Sequence, residues 1–175
     1  MGNSEIMTVI EKDSSAIGIS RRPTDLWERI RNGFAMAEMD SEEVRNSEDF
    51  YANRPEYVKR IIERSKRYLF HIVEEVERRS MPAEIALLPI IESAFNPRAY
   101  SSSHASGIWQ FIPSTGKYYG LKQNWWHDDR RDIVAATTAA LDYLQNLYSM
   151  FGDWELVLAS YNWGEGAVGR SLIKN

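Results

Sequence analysis

Residues Met81 to Phe95 read MPAEIALLPIIESAF, and no polar side chain interrupts them between Ile85 and Ile91. A helix that is apolar all round is a buried one, so a buried helix is expected here. Pro82 suits its first turn, and Pro89 should bend it or remove one backbone bond. Glu92 and Ser93 follow directly behind the most apolar stretch of the protein. A carboxylate placed there loses water, which disfavours its charged form and raises its pKa. A carboxylic acid still protonated near neutral pH donates a proton to a leaving oxygen. The competing reading is a helix-end glutamate that turns to solvent or pairs with Arg98.

On the N-terminal side, residues 1–22 show weak periodicity and read as a flexible tail. Asp25-x-x-Glu28 resembles a capping box ahead of the shared face Leu26, Trp27, Ile30, Phe34 and Ala37, which predicts a helix over about 25–38. Residues 40–53 are polar, acidic and irregular. Pro55 opens an amphipathic pattern of Val58, Ile61, Ile62, Leu69, Ile72, Val73 and Val76, which predicts one long helix. The charges between them are mixed in sign, as on a solvated face.

On the C-terminal side, residues 97–113 are loop-like. Seven of the ten glycines lie at or after 107 and five of the six tryptophans at or after 109, so this half is richer in turns and rings. Ser114 to Tyr119 should form a short helix ending at Gly120. Asp132 should cap a long helix, Gly152-Asp153 should break it, and Trp154 to Tyr161 should form the next. Sustained period-two alternation is absent, which leaves at most a minor β element.

Two further clusters offer chemistry. In Gly107-Ile-Trp-Gln-Phe-Ile, Trp109 and Phe111 flank Gln110, whose amide both donates and accepts. Ring faces beside an amide suit a sugar, although two core rings and a turn would read the same way. In Tyr161-Asn162-Trp163-Gly164, a phenol and an amide stand where a helix normally ends. Gly164-Glu-Gly-Ala-Val-Gly169 matches a dinucleotide fingerprint in letters only, since a helix precedes it. His127-Asp128-Asp129 reads as a loop leading to the Asp132 cap, and no metal or cofactor site is expected.

Composition narrows the classes. With no cysteine among 175 residues, thiol nucleophiles, zinc–thiolate sites and a cysteine-borne lipid anchor are excluded within them. A net charge of −4 argues against nucleic acid as a main partner. The longest wholly apolar run is too short to span a bilayer. The opening residues lack the basic and apolar regions of an export signal. Oligomeric state is not legible.

Glu92-Ser-Ala-Phe-Asn-Pro97, Gly107-Ile-Trp-Gln110 and Ala159-Ser-Tyr-Asn-Trp-Gly164, in that order, resemble the three signature blocks of family 1 lytic transglycosylases. PAEIALLPIIESAFNP, ASGIWQFIPSTGKYYGL and RRDIVAATTAALDYL resemble the D branch of the membrane-bound murein enzymes, and the likeness covers about residues 24–172. It implies a mainly α, goose-lysozyme-like SLT fold that cleaves the MurNAc–GlcNAc β-1,4 bond of peptidoglycan strands to leave 1,6-anhydro ends. Glu92 matches the single catalytic acid/base; Ser93, Gln110, Tyr161 and Asn162 match positions that line the cleft or hold acid and sugar. A periplasmic location, or the periplasmic face of the outer membrane, is implied too. The expected division is a helical region over 23–80 packing on a catalytic domain over 81–175, the latter cut short at its C-terminus. Two other readings stand beside it. One is a muramidase of the same fold with Asp128 or Asp129 activating water; the other is a glycan-binding module that does not cut.

Overall fold

The computed structural model describes residues 25–174, so the expected tail over 1–22 lies outside the described residues. Among these the protein is helical, and its β content is limited to the isolated pairings Tyr100–Ser106, Ser106–Phe111 and Gln123–Asp128. The helices are α1 (Leu26–Asn32), α2 (Glu42–Ala52), α3 (Pro55–Ser65), α4 (Leu69–Arg78), α5 (Leu88–Ser93), α6 (Pro113–Tyr118), α7 (Ile133–Phe151), α8 (Trp154–Trp163) and α9 (Glu165–Lys174). The mainly helical class is as the sequence implies.

The apolar seam of α7 organises the core. Asp132 caps the helix by accepting from the Ala135 amide at 2.8 Å, satisfying one of the amides a helix start leaves unpaired. Ala136, Ala139 and Ala140 let neighbours approach closely, while Leu141, Leu144 and Leu147 are fully buried. Ile72, Val73 and Val76 of α4, Phe95, Trp109 and Val157 of α8 join them in one cluster. Gly152, in the left-handed conformation, stops α7, and Asp153 caps α8 through the Leu156 amide.

Four local expectations are corrected. The first helix ends at Asn32, not near 38, because Gly33 packs on Ala83 and the Glu84 carboxylate accepts from the Ala35 and Met36 amides, drawing the chain off the helical path. Residues 42–52 are helical where irregular chain is expected. Ser41 caps them and two glutamates fill the first turn, but no residue of α2 is buried, so no apolar stripe announces the helix. The long helix is two, parted at 66–68 where the apolar spacing jumps from Ile62 to Leu69.

The fourth concerns the opening stretch. It forms a 3₁₀ turn over Ala83–Leu87 followed by the short α5, with Pro89 in the first turn, where a missing N–H costs nothing. Only part of it is buried. Ile85 is enclosed, but Ile91 is 70% exposed. Leu87, Leu88, Ile90 and Ile91 line an apolar groove of about 570 Å³ together with Trp27, Ile62 and Leu158.

Candidate active site

Glu92 stands one residue before the end of α5. The chain turns sharply behind it, because Ala94 and Phe95 are both left-handed, at φ 50° and 54°. Non-glycine residues adopt this conformation at a cost of order 1–2 kcal/mol each. The turn is held by Ala94 N–H donating to Ile90 O at 3.0 Å, by Phe95 N–H donating to Pro89 O at 3.1 Å, and by the fully buried Phe95 ring. Strain of this kind persists where the surroundings over-determine it, and it gathers at functional sites.

Glu92 neither pairs with Arg98 nor accepts a hydrogen bond from any of the described residues. It is half-buried, and desolvation pushes its carboxyl up to about 7. The carboxylate presses in turn on Tyr161, whose phenol burial raises well above its ordinary value, with Glu92 and Tyr143 adding to the effect. A carboxyl group poised near neutrality has the acid and base forms both within reach at pH 7.

Ser93 ties this turn to the next block. Its hydroxyl lies 2.9 Å from Ile108 O and 3.2 Å from Pro89 O, so its proton serves the backbone. Gln110 is left-handed too, at φ 50°, and its side-chain nitrogen donates to Gly107 O at 2.8 Å. That leaves the amide oxygen without a donor among the described residues. Tyr161 donates to Trp109 O at 2.7 Å, joining the third block to the second. Three short segments far apart in sequence are thus hydrogen-bonded into one unit.

A cleft of about 300 Å³ is lined by the second and third blocks of this unit, Glu92 and Ser93 not being among its lining residues. Gln110, Phe111, Tyr161 and Asn162 line it, together with Thr115, Tyr143 and Glu165. The structure corrects the reading of Trp109 as a sugar platform. It is 0% exposed, and its indole nitrogen donates to Thr137 Oγ1 at 3.0 Å inside the core. Phe111 is buried as well and contributes only to the wall. The available ring face belongs to Trp163, which lines the cleft at 73% exposure. Sequence reasoning passed over Trp163 as part of a helix end, although three aromatic or amide residues in a row were the signal. It also missed Tyr143, which donates to Glu165 at 3.0 Å and lies beside the Tyr161 ring. Only the period of α7 and its neighbours could have placed it there.

The loop carrying Gln110 is fixed by Arg130. This buried guanidinium holds Asp128 through Nε at 2.9 Å and Nη2 at 2.8 Å, and donates to His104 O and Phe111 O. The Arg130 hydrogen bonds keep the Asp128 carboxyl below its usual range. Asp129 accepts from Lys122 N–H at 2.8 Å and from His127. No group of acidic and histidine side chains able to hold a metal occurs among the described residues.

Gly107 is required where it stands. Its φ is +83°, and a Cβ there would lie 1.9 Å from Arg130 O. Strain at positive φ plus a backbone clash predicts that Gly107→Ala destabilises the fold by about 2–4 kcal/mol, read as a lower urea midpoint at unchanged slope. A midpoint within error of wild type would contradict this packing.

A family model described as the transglycosylase SLT domain matches residues 71–175, beginning inside α4. The membrane-bound lytic murein transglycosylase D of Escherichia coli strain K12 is 45% identical over 152 residues, 86% of this chain and 34% of that protein. A putative tributyltin chloride resistance protein of Alteromonas sp. strain M-1 is 47% identical over 115 residues, 64% of this chain and 56% of that one. The chain therefore spans about a third of the length of the Escherichia coli relative. No helix among the described residues is long and apolar enough to cross a membrane.

Proposed function

The chain belongs to the transglycosylase SLT domain family, and we propose that it is a peptidoglycan lytic transglycosylase in which Glu92 serves as both acid and base. The observation that carries this reading is the desolvated Glu92 carboxyl, raised to about 7, standing beside Tyr161 of the cleft wall without a partner among the described residues.

Most glycosidases place two carboxylates about the scissile bond, one to protonate and one to activate water or attack. The proposed reaction needs one. Protonated Glu92 gives its proton to the glycosidic oxygen between MurNAc and GlcNAc, and the bond to the MurNAc anomeric carbon breaks. The MurNAc acetamido oxygen supports that carbon. The Glu92 carboxylate then takes the proton of the MurNAc C6 hydroxyl as O6 closes on the anomeric carbon. The GlcNAc hydroxyl leaves, the 1,6-anhydro ring forms, and Glu92 ends protonated as it began.

Around this step, the Gln110 amide oxygen and Asn162 hydrogen-bond the sugars, and Trp163 offers the ring face. Tyr161 and Ser93 hold the three segments in register and so position Glu92. Residues 81–175 form the catalytic part, and of the region 23–80 the described residues from 25 on pack against it. The partner is the glycan strand, and the place of work is the periplasm or the periplasmic face of the outer membrane. The water-adding alternative has less support, since Asp128 is held by Arg130 and Asp129 by Lys122 and His127.

The test is digestion of purified murein with mass analysis of the soluble fragments. Ends bearing the 1,6-anhydro ring are expected; reducing ends alone would point to the muramidase, and binding without release to the non-cutting module. The pH profile is a second check. The first step needs protonated Glu92, so kcat/KM should be level below pH about 7. Above that it should fall roughly tenfold per pH unit. A rate that climbs through this range would assign the acid to another group.

A further inference from the structure

We infer that the loop carrying Trp125 and Trp126 is a second glycan-binding platform, gripping the murein strand away from the bond that is cut; the choice of glycan as occupant rests on the proposed function. At 89% and 90% exposure, these indoles are the most exposed large apolar side chains among the described residues. Single exposed apolar residues are ordinary, but two adjacent tryptophans presented together mark an interaction surface.

The loop is built to hold them. Asn124 Oδ1 accepts from the amides of Trp126 and His127, both at 2.9 Å, and Asn124 N–H donates to His127 O at 2.8 Å. Outside these, Gln123 pairs with Asp128 in an antiparallel bridge. Lys122 and Asp129 then close the base through Asp129 N–H to Lys122 O at 2.9 Å and Lys122 N–H to the Asp129 carboxylate. A surface ordered before binding loses less entropy on binding.

The same loop is fastened to the cleft. Gln123 donates to Pro113 O at 3.0 Å, at the start of α6, whose Thr115 lines the cleft. Arg130 joins Asp128 to Phe111 O, and Phe111 lines the cleft as well. A long polymer held on the platform is thereby registered against the cleft.

The chemistry favours a sugar over a lipid surface. Indole faces stack on the C–H faces of pyranose rings, while the Asn124 side-chain nitrogen and the His127 ring nitrogen not bonded to Asp129 are left to meet hydroxyl and acetamido groups. Anionic membranes attract clustered lysine and arginine. Here the carboxylates Asp128 and Asp129 match the exposed cations Lys122 and Arg131 in number, and Arg130 is already buried in its ion pair, so the loop carries no cationic excess.

The experiment uses the full chain carrying Glu92→Gln, so that sacculi are bound without being cut. Adding W125A/W126A should weaken co-sedimentation with purified sacculi about tenfold, as two lost ring contacts imply. In the wild-type background the same pair should leave cleavage of a short soluble tetrasaccharide unchanged. Thermal unfolding should also be unchanged, since neither side chain is buried. Undiminished sacculus binding would overturn the platform. So would a loss confined to phosphatidylethanolamine–phosphatidylglycerol vesicles, or to self-association, with murein binding intact. Failure of the proposed activity would appear separately, as wild-type protein that releases no anhydro fragments; tryptophan-dependent murein binding would uphold the platform even then.

Discussion

Glu92→Gln is expected to slow murein cleavage by about 10²–10⁴-fold, the usual worth of a positioned general acid–base. The substitution keeps shape and volume but removes the proton that the glycosidic oxygen needs and the carboxylate that the C6 hydroxyl needs. Because both steps pass through one side chain, no described neighbour is placed to take over either. Binding to sacculi should persist, so the loss should appear in kcat and leave KM nearly unchanged. Stability should move the other way. The folded carboxyl is raised to about 7 from an ordinary value of about 4.3. The stability contributed by protonated Glu92 is therefore complete below the ordinary value and is lost as pH rises through about 7. Glu92→Gln should match wild type near pH 4 and exceed it above pH 7, as judged by paired thermal melts. Equal activity in the two proteins would remove Glu92 from the reaction.

Arg130→Ala is expected to cost about 3–5 kcal/mol, because it removes the buried half of an ion pair and a donor to buried backbone carbonyls. Its guanidinium satisfies Asp128 with two bonds and the carbonyls of His104 and Phe111 with others. Removing it leaves His104 O and Asp128 Oδ2 without their donors, while Phe111 O keeps Ser106 N–H and Asp128 Oδ1 keeps the backbone N–H of residue 130, and it opens a void against Gly116 of α6. The pH dependence gives an independent sign. The Arg130 hydrogen bonds depress the Asp128 carboxyl, so the stability it contributes is present above the ordinary carboxylate range and is lost as pH falls through the depressed value. The variant should lose that acid-side dependence along with the stability. Urea unfolding at pH 7 and at about pH 2 reads both, and a variant of wild-type stability would show the loop to be held by other means.

The sequence made the helical class, the Asp132 cap and the break at Gly152-Asp153 readable, because each follows from local backbone chemistry. Glu92 was readable from its place behind an apolar run, since burial is what raises its pKa. Trp109 misled because a ring next to an amide looks alike whether it faces solvent or core, and only the path of α7 decides that it bonds Thr137. The helix α2 escaped notice because a helix with no buried residue carries no periodic stripe. The role of Arg130 was invisible for a different reason: its partners His104 and Phe111 lie far off in the chain, joined only by the fold.

The central claim is that one carboxyl group performs the whole reaction without water, and digestion of murein in heavy-oxygen water tests it most directly. The account predicts MurNAc ends closed as 1,6-anhydro rings that carry no heavy oxygen. New MurNAc ends bearing heavy oxygen at the anomeric position would mean that water had attacked, and would contradict it.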